Sequence, residues 1–102
     1  MGIDVHLQRE DGSRIASVLD QKGVIARLIP LDDERFPLLR YVDPYGDTVF
    51  NRRQAEQVLI EVELLGRTGE KSADELEHLR QLKELARQCE QEPHFYLRFV
   101  GD

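Results

Sequence analysis

The chain has 102 residues with 20 acidic and 14 basic side chains, a net charge of −6 near neutral pH. With 40% apolar residues and only 7 Gly and 4 Pro, it is sized for one domain, residues 1–102, around one core, and it is not a disordered chain. The negative balance speaks against nucleic acid as a partner, because that affinity comes mostly from neutralising phosphates.

The acid is spread evenly. Residues 1–50 carry 9 acids and 6 bases, residues 51–102 carry 11 and 8, so neither half is an acidic block. Cys89 is the single cysteine and cannot form an internal disulfide. Met1-Gly2-Ile3-Asp4-Val5-His6 lacks the basic and apolar regions of a signal peptide, and no apolar run approaches the roughly 18 residues of a membrane span. A cytoplasmic protein that does not engage the membrane is expected.

Ile3, Val5 and Leu7 alternate with Asp4, His6 and Gln8, the period of a half-buried strand. Glu10-Asp11-Gly12-Ser13 is a turn, and Ile15, Ser17 and Leu19 carry the alternation onward as the second arm of a hairpin. A short helix over 14–19 competes, since Ile15, Val18 and Leu19 also fit helical spacing. Asp20-Gln21-Lys22-Gly23 breaks the pattern. Val24 to Ile29 reads as a short helix stopped by Pro30, and Leu31 to Arg35 as a solvated loop. Leu38 to Val42 reads as a strand. Asp43-Pro44-Tyr45-Gly46-Asp47 is a turn with Gly46 in a left-handed position, and Thr48-Val49-Phe50 returns as a second hairpin arm.

Asn51 with Gln54, and Ser72 with Glu75, have the spacing of capping boxes. They predict helices from Asn51 to about Leu65, ending near Gly66, and from Ser72 to about Gln91. Pro93 follows, and then Phe95 to Val100, apolar on both faces as a central strand would be. The order β-β-(short α)-β-β-α-α-β gives an α+β fold: a mostly antiparallel sheet of four to five strands with a helix hairpin on one face.

At about 100° per residue, Ala55, Val58, Leu59, Val62 and Leu65 share an arc of about 120°, and Ile60 and Leu64 fall opposite it. The two either meet the second helix or the Val24–Ile29 segment, or form an exposed contact patch. Burying both against a partner would contribute about 3–5 kcal/mol before ordering costs. Leu76, Leu79, Leu82, Leu85, Ala86 and Cys89 sweep a wider arc on the second helix.

No spacing carries catalysis, a cofactor or a metal. His6, His78 and His94 stand in no zinc pattern. His6 and His94 with Asp4 and Arg98 would form a site on the open sheet face if their strands are neighbours. Asp74 and His78 are spaced as a helix pair. Asp43, Asp47 and Asn51 lack the calcium-loop pattern and read as turn and helix caps. Asp32, Asp33 and Glu34 read as a solvated corner. Cys89 on an apolar arc beside Glu90 is a packing residue. Ser13, Ser17 and Ser72 lie in no nucleophile elbow, and no phosphate-binding glycine loop is present.

Arg52 and Arg53 oppose the dipole of the helix they begin, at about 0.3–1 kcal/mol each. They either pair with Asp43 and Asp47 or serve a partner's anions. Tyr41, Tyr45 and Tyr96 suit contacts that are part apolar and part polar. The expectation is a non-catalytic protein-binding module acting through Tyr45, Arg52, Arg53, Ile60 and Leu64, with another protein or a second copy as partner. An immunity or antitoxin-like inhibitor of a basic toxin and an accessory subunit are narrower versions. The alternative is a small enzyme or a ligand- or metal-binding domain using His6, His94, Asp4 and Arg98.

Overall fold

Ile3, Val5 and Leu7 are buried on one side of β1 (Ile3–Arg9), as their period requires. β1 turns through a left-handed Gly12 into β2 (Arg14–Val18), its antiparallel neighbour. The computed structural model describes residues 2–102; Met1, part of the stretch read for a targeting signal, lies outside them. A bulge where Gln8 meets Arg14 shifts the phase of β2. Val18 is therefore the buried residue, and Leu19, expected to continue the alternation, is exposed.

α1 (Val24–Leu28) is the short apolar helix. Asp20 holds its start. One carboxylate oxygen accepts from the Ile25 amide at 3.0 Å, and the other accepts from Ala26 and from Ile3 of β1.

The expected strand over Leu38–Val42 does not form. Leu39–Tyr41 is a 3-10 turn, and Phe36, Leu39 and Val42 are buried. Residues three apart eclipse in that geometry, so the segment closes the core as a plug. What overrides the strand pattern is a side chain far along the chain. Glu61, 1% exposed, accepts from the Leu39 amide at 2.8 Å and from the Leu38 amide. Gly46 is likewise not left-handed, unlike Gly12, Gly23 and Gly69. The Asp43–Asp47 turn is held by Asp43, which accepts from the Tyr45 amide at 2.9 Å.

β3 (Asp47–Asn51) therefore has no hairpin partner before it and pairs with β4 (Phe95–Gly101) instead. Phe50 meets Phe99 edge to face, with ring centres 5.6 Å apart, which anchors β3 from below. Between them run α2 (Arg52–Arg67) and α3 (Ala73–Gln91), each opened by its expected capping box. Among the described residues the sheet has four strands in the order β2-β1-β4-β3, all antiparallel. β4 is internal, as its two apolar faces predict. The helix pair, α1 and the plug cover one face and bury a single core. No helix among the described residues is long and apolar enough to cross a membrane.

Candidate interaction surface

Sheet alternation places Asp4, His6 and Gln8 of β1, Ser17 of β2, Tyr96, Arg98 and Val100 of β4, and Asp47, Val49 and Asn51 of β3 on the uncovered face. His6 is central and only 4% exposed. A 2.7 Å hydrogen bond joins its Nδ1 to Ser17 Oγ. Burial, followed by the positive charge of Arg14, lowers its pKa below the ordinary 6.5, so the ring is neutral at physiological pH.

His6 lies opposite Arg98, while His94 sits before the other end of β4 and reaches Glu10 at 3.1 Å. The two histidines do not meet. Arg98 is held by Asp47, donating through Nε at 2.9 Å. Around His6 the open face thus carries paired groups, and the polar depression at its rim, lined by Asp4, Asp20, Lys22, Val100 and Asp102, takes in neither His6 nor His94. Among the described residues no three His, Cys, Asp or Glu side chains gather as metal ligands.

Other candidates resolve into local structure. His78 Nδ1 donates to the Asp74 backbone carbonyl at 2.8 Å, in place of the expected carboxylate. Asp33 is paired with Arg35, and Asn51 caps α2. Cys89 is fully buried, and burial together with the Glu90 charge pushes its thiol up to about 11, which makes it inert.

The five proposed contact residues do not share one face. Tyr45, 70% exposed, stands in the turn before β3. Arg52 and Arg53 stand at the opposite end of β3, exposed. The expected pairing of these arginines with Asp43 and Asp47 does not form: Asp47 is taken by Arg98, and Asp43 caps its own turn. Arg52 and Arg53 line an open depression with Glu56 and Glu90, yet among the described residues neither guanidinium comes within 4.0 Å of a carboxylate. Ile60 and Leu64 also part company. Ile60 is 52% exposed on α2, whereas Leu64 packs half-buried on the core.

What these residues frame is the outer edge of β3. It pairs with β4 on one side, and among the described residues no backbone group bonds to its other side. Its central residue, Val49, is half exposed. Tyr45, exposed, stands in the turn before its first end, and Arg52 and Arg53 follow its last. Val49 escaped the sequence reading, since a lone valine in a short strand carries no signal until the sheet order is known. Compared with known proteins, the chain matches no family model, no curated protein and no solved structure.

Proposed function

We propose that this protein is a non-catalytic binding module that takes an extended segment of a partner protein onto the β3 edge as an added strand. One observation carries the reading: β3 is an edge strand without the devices that normally close such an edge. It has no bulge, proline or lysine, and an apolar side chain stands at its centre. An added strand would bond to the outward backbone groups around Val49, the Asn51 amide being already donated to Gln54, with Val49 and Tyr45 supplying apolar contact. The net charge of −6 argues for a protein partner over nucleic acid. It is also the sole support for the narrower version in which the partner is a basic toxin. We place the module in the cytoplasm, because its one cysteine is buried and its fold relies on no disulfide.

The enzyme or ligand-site alternative on the open face is weaker. His6 touches Ser17, but His94 is elsewhere and Arg98 is committed to Asp47.

The test is selection of peptides from a random displayed library against the full chain, followed by amide chemical-shift mapping. Selected peptides are expected to shift Asp47–Asn51. Val49→Lys should weaken them by about tenfold or more with only a small fall in melting temperature, since a cation there stands opposite Arg98. A library that yields no binder, or binders that map to β2 or around His6, would overturn the reading.

A further inference from the structure

We infer that the β3 edge pairs with the β3 edge of a second copy of this chain, in antiparallel fashion about Val49. This inference rests on the proposed strand addition and names its partner. The argument is the distribution of charge along the edge. Asp43 and Asp47 stand at the start of β3, and Arg52 and Arg53 at its end. A two-fold axis through Val49 sets Val49 against Val49 of the second copy and Asp47 against Asn51 of the second copy. The acidic turn of each copy then lies beside the two arginines of the other, at both ends of the ladder.

A strand that is acidic at one end and basic at the other is complementary to itself only when antiparallel. That is the arrangement an isologous two-fold contact requires. Among the described residues the two arginines make no ion pair within 4.0 Å, and the pairing sets them beside Asp43 and the Asp47–Arg98 pair of the second copy, which offsets their unfavourable place at a helix start. The result is a continuous sheet of eight strands across the axis.

β3 is five residues long, and its last amide, Asn51 N–H, already donates to Gln54, so the ladder is short and centred on Val49. With its flanking side chains it falls short of the ~1,600 Å² of a standard stable interface. The dimer is therefore weak and reversible. It covers an edge that is otherwise open to aggregation, and it competes with any other strand for the same place.

Sedimentation velocity on the full chain from about 10 µM to 1 mM tests this. The apparent mass should climb from 11.9 kDa toward twice that value. Val49→Lys should keep it at the monomer. The double variant Arg52→Glu with Arg53→Glu, and separately Asp47→Lys, should each weaken self-association on the order of 100-fold, because like charges then meet at both ends. Mixing those two variants restores opposite charges at both ends and should restore a heterodimer. Circular dichroism checks each fold, and Val49→Lys, which alters no core contact, keeps the test readable if Asp47→Lys unfolds.

A mass that stays at the monomer up to 1 mM overturns the second copy as partner, as does a dimer indifferent to Val49→Lys, or a mixture that fails to associate although both variants fold. If such a chain still binds selected peptides on Asp47–Asn51, only the self-pairing has failed. If it binds none, the strand-addition reading fails with it.

Discussion

The two edges of the sheet have the same length and opposite finishing. β2, on one side, has a bulge at its Arg14 end. It is also bordered by long polar side chains of α3: Arg80, Gln81, Glu84 and Gln88 line the depression beside Ala16, Ser17 and Val18. An incoming strand there meets a bent ladder and a fringe of charge, the usual defences of an edge. β3, on the other side, is regular, with Val49 at its middle and charges of opposite sign only at its ends. One sheet thus carries a closed edge and an open one.

The interior supports follow the same division. Glu61 pins the Phe36–Val42 plug beside which β3 starts, through the Leu38 and Leu39 amides and a hydrogen bond from Gln57 Nε2 at 3.0 Å. Glu61→Ala leaves buried amides without acceptors and should destabilise the protein by about 2–4 kcal/mol. Hydrogen exchange should speed first in residues 36–51 and leave β2 protected. Equal loss at both edges would break the comparison.

A smaller effect belongs to the β2 side, where His6 ties β1 to Ser17. Its pKa in the folded chain lies below 6.5, so on acidification the unfolded chain takes up this proton first. The stability linked to His6 is then complete above about 6.5 and falls as the pH drops below it. His6→Gln should flatten that decline in urea titrations between about pH 7.5 and 5, with no effect on events at β3. An unchanged pH profile would show that the His6 proton does not contribute to stability over this range. The smallest effect is expected away from both edges. Ile60→Ser should change stability by no more than about 0.5 kcal/mol in thermal melts and leave self-association intact. A loss of association in that variant would move the contact surface from β3 to α2.

Much of this was legible in the residues. Both long helices announce themselves through Asn51-Gln54 and Ser72-Glu75, because a capping box is closed within four residues. The β1–β2 hairpin follows from a local turn and a period of two. The candidate site was legible only in pieces. Tyr45, Arg52 and Arg53 were found from turn position and helix-dipole conflict, whereas Val49 was not, and Ile60 and Leu64 were joined on helical phase that the core then split.

The sequence by itself determined the α+β class, the helix boundaries, the first hairpin and the internal place of the last strand. Each depends on contacts between residues near in the chain, or on the apolar period along a single element. Only the tertiary structure decided that Leu38–Val42 turns instead of extending, that β3 joins β4, and that β3 ends the sheet with one side free. Those outcomes rest on the Glu61 carboxylate meeting amides 22 and 23 residues away and on Phe50 meeting Phe99. No local pattern encodes such meetings, since their free energy appears only when distant segments arrive together.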